Sequence, residues 1–204
     1  DHARHLPSGP KPKIAIVMDD LGESWSDIQT LVKLDPNISL SVLPHTAHAV
    51  RISEEGLMLG YEVLLHVPME PENDHEMNVP HYLTTQMSDA DLTTHLGRQI
   101  EKMPYIVGVN NHMGSRFTRD TQKMSVVLRE LKARNLFFLD SRTTNETVGY
   151  RLAHQQGMPT AMRDVFLDHV VRRDSIERQF DVLRTIARRK GHAIAIGHPN
   201  KVTM

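Results

Sequence analysis

The chain has 204 residues, of which 39% are hydrophobic and 24% are charged, a balance typical of one globular domain. Lys and Arg number 24 and Asp and Glu 25, so no basic field is available for a nucleic-acid backbone, and we expect no nucleic-acid partner. The absence of cysteine excludes disulfides and thiolate zinc sites, so a metal would need carboxylates and some of the 13 histidines as ligands.

Residues 1–12 are predicted to form a flexible leader, because this opening is polar and contains several Pro and Gly residues. Residues 13–204 are predicted to form one domain. No stretch has the roughly 20 apolar residues of a membrane-spanning helix. We therefore expect no transmembrane segment in this chain.

Short apolar runs rich in Val and Ile recur along the chain, and each precedes a segment with helical periodicity. Strands are predicted near 13–18, 38–43, 61–65, 105–109, 136–139, 160–167 and 193–196. Helices are predicted near 24–34, 47–59, 89–103, 120–134, 147–156 and 175–189. Strand runs that are apolar on both faces indicate parallel strands covered by helices. A long irregular stretch, 67–86, has the length of a functional loop.

Reactive side chains follow almost every predicted strand. They are Asp19 and Asp20, His45, His66, Asn111 and His112, Asp140, Asp168 and His169, and His198. In a barrel these strand ends converge on one face, whereas an open sheet would concentrate them at one crevice. Their number favours a single α/β domain built as a distorted (β/α) barrel of about seven parallel strands.

Asp19 and Asp20 are adjacent carboxylates at a strand end, where burying an unpaired charge is costly. One could bind a cation while the other acts as a base, or both could cap the helix that follows. No Gly-rich loop follows them, which disfavours a phosphate site. The pair alone does not decide between a catalytic and a capping role.

His66 directly follows the third strand, where a histidine is more often structural than a ligand. Asp20, His66 and one further oxygen or nitrogen ligand would form an open zinc site. Glu70, four residues on, could reach the same site. The polar turn around Asn111 and His112 offers a second source of ligands.

Arg116, in the same turn, and Asp140 are further candidates to contact a metal or substrate, although Asp140 more readily suggests an ion pair with Arg142.

His198 stands between Gly197 and Pro199, which hold its imidazole in place as a candidate general acid. Two further histidines, His75 and His81, are weak candidates to border a substrate groove, and His95 is interpreted as a surface or packing residue. Zinc with one open position, a carboxylate base and a histidine acid would suffice to hydrolyse an amide or ester.

Five segments, in order along the chain, carry a family resemblance. They are 16–22 (IVMDDLG), 60–70 (GYEVLLHVPME), 108–118 (GVNNHMGSRFT), 138–143 (FLDSRT) and 194–199 (IAIGHP). With them the chain resembles the divergent polysaccharide deacetylases, a branch of the NodB-like carbohydrate esterases. The resemblance implies a distorted (β/α) barrel of about seven strands, as the pattern of strands and helices does.

The resemblance also implies site roles. Asp19 would be the base, Asp20 and His66 metal ligands, and His198 the acid. NodB-like deacetylases have a second metal-binding histidine where this chain has Glu70, so the third ligand is either Glu70 or His112. His112 is favoured, because a second nitrogen ligand suits zinc. The family's third-motif Arg and Pro are not reproduced, so its contacts to the acetyl group do not transfer.

Two functional hypotheses follow. The first is a metal-dependent deacetylase, with zinc as the favoured divalent metal, acting on the N- or O-acetyl groups of a glycan in the bacterial periplasm or cell envelope. The second is a catalytically inactive barrel that binds a glycan or an envelope protein. Glu70 and the altered third motif favour the second hypothesis, whereas retention of Asp19 and His198 favours the first.

Overall fold

Eight parallel strands form one curled sheet, a half-barrel, in the computed structural model, which describes residues 11–77 and 79–204. The strands are β1 (Lys13–Leu21), β2 (Ile38–Val42), β3 (Val63–Met69), β4 (Gly108–Met113), β5 (Phe137–Asp140), β6 (Thr160–Met162), β7 (Val165–Phe166) and β8 (His192–Gly197). The helices in this part of the chain are α1 (Trp25–Leu34), α2 (Ala49–Leu59), α3 (Asp89–Lys102), α4 (Thr121–Ala133), α5 (Gly149–Gln155) and α6 (Arg173–Lys190). The first ten residues of the predicted leader lie outside the described residues.

The strand order is β6-β5-β4-β3-β2-β1-β8-β7, and every pair in it is parallel. This arrangement confirms the prediction of a single barrel-like α/β domain. Consecutive strands from β1 to β6 lie side by side with helices on the outside, so their carboxyl ends meet at one edge of the half-barrel. None of the helices in the described residues is long and apolar enough to cross a membrane.

The predicted strand at 160–167 is in fact two short strands at opposite edges of the sheet. β6 pairs with β5, whereas β7 pairs with β8. Between β6 and β7, the backbone N–H of Arg163 donates to the carbonyl of Asp140 in β5 (3.0 Å). The backbone N–H of Asp164 donates to the carbonyl of Ile194 in β8 (2.9 Å). This segment therefore joins the two edges of the half-barrel, and the strand count is eight rather than seven.

Local sequence explains where several helices begin and end. The Ser88 hydroxyl accepts a hydrogen bond from the backbone N–H of Asp91 and so caps α3. The Asp120 carboxylate accepts one from the backbone N–H of Lys123 and so caps α4. Gly60 ends α2 at φ +80°, a conformation that glycine adopts without steric cost. The core lies between the helices and the sheet, and β3 is buried along its whole length.

Candidate metal centre

An irregularity at the end of β1 brings two adjacent carboxylates to one site. β1 pairs regularly with β8 up to Met18, but its register with β2 shifts between Met18 and Leu21. Asp20 lies within this bulge at φ +57°, a left-handed conformation that non-glycine residues seldom adopt. Asp19 and Asp20 therefore both reach the carboxyl end of the barrel, although consecutive residues of a regular strand point to opposite faces. The capping interpretation is wrong, because Ser24 precedes α1.

Two histidines from neighbouring strands meet Asp20 there. In the register of β3 and β4, His66 pairs with Asn110 and Pro68 pairs with His112, so the side chains at 66, 110 and 112 share one face. The Oδ1 atom of Asp20 lies 3.2 Å from Nε2 of His66 and 2.8 Å from Nδ1 of His112. The two ring nitrogens are 3.3 Å apart.

This triangle fits a divalent metal. Tetrahedral zinc with bonds of about 2.0–2.1 Å has ligand–ligand edges of about 3.3 Å, close to the three observed distances. Among the described residues, Asp20, His66 and His112 are the only His, Asp and Glu side chains that form such a cluster. Both histidines are buried, but the Asp20 side chain is 35% exposed and leaves one side of the triangle open. Three protein ligands with an open position are typical of catalytic rather than structural zinc.

Charge interactions at the centre keep Asp20 ionised. Burial alone would raise the pKa of Asp20, but its hydrogen bonds to His112 and His66 hold that pKa far below the ordinary value. Burial likewise disfavours protonation of His66, yet the Asp19 charge and the hydrogen bond to Asp20 raise its pKa. A bound cation would take the place of the protons that Asp20 shares with His66 and His112, because the ligand atoms of these three residues already face one another.

Asn110 connects the metal candidates to the carboxylate beside them. Its Oδ1 faces Nδ1 of His66 (2.9 Å) and accepts from the hydroxyl of Ser41 (2.7 Å), while its Nδ2 donates to Oδ1 of Asp19 (2.8 Å). An oxygen acceptor at Nδ1 fixes the His66 tautomer, so Nε2 presents its lone pair to the centre. Asn110 and Asp19 are both buried.

We expect Asn110→Ala to lower the free energy of unfolding by about 3 kcal/mol, since each unsatisfied buried polar group costs roughly 1–3 kcal/mol. Zinc affinity should also fall about 10–100-fold, the usual effect of losing an outer-sphere partner. Denaturant unfolding and a chelator competition would measure the two effects. Asn37→Ala, at an exposed turn, is the control, and an equal effect of both changes would contradict the role of Asn110.

His198 faces the open side of the triangle, held by Asp168. The Nδ1 of the His198 ring lies 2.9 Å from Oδ1 of Asp168, and the backbone N–H of His198 donates to Oδ2 of the same carboxylate (2.7 Å). Its Nε2 lies 3.8 Å from Oδ2 of Asp20. The ring of Phe166 stacks on the imidazole, with centroids 5.1 Å apart and planes at 28°. Asp168 therefore orients His198 and does not pair with its neighbour His169.

Asp168→Asn is expected to lower the pKa of His198. Burial lowers that pKa, but the bond to Asp168 and the Asp20 charge outweigh burial and raise it above the ordinary value. A neutral amide removes the larger of these two favourable interactions. NMR titration of the zinc-free protein would follow the change, with His192, exposed at the start of β8, as an internal reference. An unchanged or higher pKa for His198 would show that Asp168 does not set its protonation.

Glu70, the alternative third ligand, is committed elsewhere. One of its carboxylate oxygens accepts from the N–H (2.6 Å) and hydroxyl (2.7 Å) of Thr85, and the other pairs with Arg116 at 2.9 Å. Arg116 also contacts Asp74 (3.2 Å) and the carbonyl of Glu72 (2.6 Å). These contacts tie the long loop to the turn after β4, and Glu70 is not in the metal cluster.

Two other sequence candidates connect strand ends. The side chain of Asn111 accepts the N–H of Ser141 (2.9 Å) and donates to the carbonyl of Met113 (2.6 Å). Asp140 accepts from the hydroxyl of Thr147 and from the N–H groups of Tyr150 and Arg142. The predicted ion pair between Asp140 and Arg142 is therefore a backbone hydrogen bond, and Asp140 acts on the loop before α5.

A cavity of about 200 Å³ opens over the centre. Its lining residues are Asp19, Asp20, His66, Asn111, His112, Met113, Ser141, Thr143, Phe166 and His198. The hydroxyl of Ser141 and Nε2 of His112 are buried without a hydrogen-bond partner among the described residues. The cavity thus combines a three-ligand centre, a buried carboxylate and an oriented imidazole. Such a set can activate water and protonate a leaving group.

Four residues of this arrangement were not predicted from the sequence, namely Ser41, Asn110, Ser141 and Phe166, and Asp168 was predicted only as a reactive side chain at a strand end. Asn110 stands two residues before His112 on one strand, and this spacing places both on one face. Asp168 follows a strand end, as His198 does. No local signal marks Ser41 or Phe166, because their roles depend on partners 69 and 32 residues away in the chain.

Comparison with known proteins gives one family. Residues 16–204 match the family described as divergent polysaccharide deacetylase. The uncharacterized protein YibQ of Escherichia coli is 36% identical over 192 residues, which are 94% of this chain and 60% of YibQ. The chain thus spans somewhat less than two thirds of that relative.

Solved structures agree on the fold. An uncharacterized protein of Agrobacterium tumefaciens, ATU2773, is 28% identical with a TM-score of 0.90, covering 98% of this chain and 82% of that protein. A mutant of BA3943, described as a CE4 family pseudoenzyme with restored enzymatic activity, is 16% identical with a TM-score of 0.50. That alignment covers 95% of this chain and 58% of BA3943, and at this identity it shows the fold alone.

Proposed function

Because the chain belongs to the divergent polysaccharide deacetylase family, we propose that it is a metal-dependent hydrolase that removes N- or O-acetyl groups from an envelope glycan. The observation that carries the proposal is the triangle of Asp20, His66 and His112, with Asp19 and His198 beside it. A deacetylase requires a base and an acid around one reacting carbon, and these two side chains have suitable chemistry.

Asp19 is the base in this proposal. Its Oδ1 is held by Asn110, and its Oδ2 lies 3.6 Å from Nε2 of His66, so the carboxylate borders the position that the three ligands enclose. It takes a proton from the attacking water. Zinc, when bound, lowers the pKa of water and polarises the acyl carbonyl.

His198 is the acid. Asp168 holds Nδ1 and stabilises the protonated ring, which leaves Nε2–H to face the site. Nε2 donates its proton to the departing sugar nitrogen or oxygen as the bond to the acetyl carbon breaks. Phe166 covers one face of the imidazole, whose side chain is 29% exposed.

The periplasm or cell envelope is the proposed location. The glycan-directed family supports it, and the cysteine-free sequence is compatible with it. The substrate proposed is an acetylated carbohydrate. The activity of any longer protein containing this domain is part of the same proposal, because the chain spans only part of YibQ.

A non-catalytic binding module is the second candidate. One observation favours it: Glu70 occupies the position of the family's second histidine and is bonded to Arg116. The intact Asp168–His198 pair favours the enzyme, since a binding module has no need of an oriented acid.

Acetate release tests the proposal. Zinc-loaded protein should release acetate from N-acetylated chitooligosaccharides or peptidoglycan fragments, and metal-free protein should not. Acetate would be quantified by a coupled assay, with the sugar product identified by mass. Tight zinc binding without acetate release from either substrate would support the binding module instead.

A further inference from the structure

A second pocket, of about 270 Å³, lies between the loop after β2, the long loop before α3 and α3 itself. Its lining residues are Pro44, His45, His81, His95, Arg98, Gln99 and Lys102. Four of them, at positions 95, 98, 99 and 102, recur at helical spacing and so form one face of α3. We infer that this cationic pocket binds the carboxylate of an acidic sugar adjacent to the acetylated sugar, an inference that rests on the proposed function.

The charges of the pocket are all of one sign. Its charged lining residues are Arg98 and Lys102, which stand beside three histidines, and no carboxylate is among its lining residues. Burial lowers the pKa of His45, although the nearby Glu23 carboxylate acts to raise that pKa. Neither Arg98 nor Lys102 forms an ion pair with any residue that the structure describes. Net charge near zero excluded an extended basic surface, but it does not preclude a local group of cations such as this one.

Gln99 and His45 contribute buried polar atoms to the wall of the same pocket. Gln99 is buried, and its Nε2 donates to the carbonyl of His81 (3.1 Å), which leaves Oε1 without a partner in the described chain. The Nδ1 atom of His45 is buried and equally unpartnered. His81 adopts φ +68°, so the loop is held in an uncommon conformation against α3. Gln99 thereby fixes the backbone of His81 against α3, and a carboxylate can lie near Arg98 and Lys102 at the mouth of the pocket.

Metal binding does not explain the three histidines. Among the described residues, His45, His81 and His95 do not bring their ring nitrogens together as Asp20, His66 and His112 do. The rings of His81 and His95 are 6.2 Å apart, centroid to centroid, and Arg98 and Lys102 would repel a cation. An anion is therefore the suitable ligand. In this inference His95 lines the pocket, whereas the sequence suggested a surface or packing residue.

The pocket adjoins the candidate metal centre. Tyr82 follows His81, and its ring centroid lies 6.2 Å from that of His112. The Tyr82 hydroxyl contacts the sulfur of Met113, which lines the metal-centre cavity (3.4 Å). A saccharide with its acetyl group at the centre would place a neighbouring sugar near the pocket.

Two disaccharides that differ by one carboxylate test the inference. The probes are N-acetylglucosaminyl-N-acetylmuramic acid and N,N′-diacetylchitobiose, which share their acetamido groups and linkage. Calorimetry on zinc-loaded protein should show about tenfold tighter binding of the acidic disaccharide, since each partly exposed charge contact contributes up to about fivefold. The preference should fall at high salt and disappear in Arg98→Gln/Lys102→Gln, but persist in Arg129→Gln, a control on the exposed side of α4.

NMR of the histidine rings gives a second measurement that needs no turnover. The acidic disaccharide and lactate should both shift His81 and His95, and inorganic phosphate should compete no better than lactate. Equal affinity for both disaccharides, unaltered by the double substitution, would overturn the assignment of this pocket to a sugar carboxylate, even if acetate were released. Binding of the acidic disaccharide with the expected preference but without acetate release would overturn the proposed function and leave the pocket supported. Preferential binding of phosphate would contradict the carboxylate assignment.

Discussion

His66→Ala is expected to abolish stable zinc binding, lowering the affinity by more than the roughly 10–100-fold that loss of an outer-sphere partner costs. His66 supplies one corner of the triangle, at 3.2 Å from Asp20 and 3.3 Å from His112, and the remaining two ligands cannot enclose a tetrahedral ion. His112→Ala should have the same effect. Competition with a chromophoric chelator, at a pH where the imidazoles are neutral, would measure both.

Glu70→Gln is the matched control, because it alters the position where related deacetylases have a histidine. The Glu70 carboxylate is bonded to Arg116 and Thr85, so the change should leave zinc affinity within a few-fold of wild type. Thermal unfolding would show the loss of the Glu70–Arg116 pair as a lower midpoint. If Glu70→Gln abolished zinc binding while His112→Ala did not, the ligand set derived from the structure would be wrong.

Asp19→Asn is expected to reduce acetate release by roughly 100–10,000-fold, the usual contribution of a positioned base. An amide is a poor base, but its oxygen can still accept the bond from Asn110, so the fold and zinc affinity should change little. Single-turnover acetate release and chelator competition would separate the two properties. Asp181→Asn, on the exposed face of α6, controls for the loss of one negative charge.

A fall of less than about tenfold in Asp19→Asn would place the base elsewhere, since that is below the range for general-base catalysis. If Asp19→Asn lowered zinc affinity as much as acetate release, Asp19 would instead be a zinc ligand. Its distance of 3.6 Å from His66 permits that outcome on geometry alone, so zinc affinity has to be measured beside turnover.

Most of the secondary structure was predictable because its signals are local. Apolar runs and helical periodicity located the strands and helices, and local residues such as Ser88 and Gly60 stand where α3 begins and α2 ends. The 160–167 segment was predicted as one strand, because it lies between two predicted helices in the regular alternation of strands and helices. Its division at Arg163 depends on two partners, β5 and β8, that are distant in sequence.

Most residues of the site were predictable from the sequence, but their contacts with one another were not. Strand ends identified Asp19, Asp20, His66 and His198, because the parallel topology brings such residues together. Ligand chemistry favoured His112 as the third ligand, but the sequence alone left Glu70 as an alternative. The register of β3 and β4 settles their positions, because it places His112 on the face of His66.

Zinc-edge anomalous diffraction from crystals of the zinc-loaded protein tests the central claim most directly. The account predicts one strong anomalous peak bonded to Asp20, His66 and His112, at about 2.0–2.1 Å from each. Glu70 should remain paired with Arg116, and an open side of the ion should face His198. A peak bonded to Glu70, or no peak among Asp20, His66 and His112 under conditions where zinc binds tightly, would contradict it.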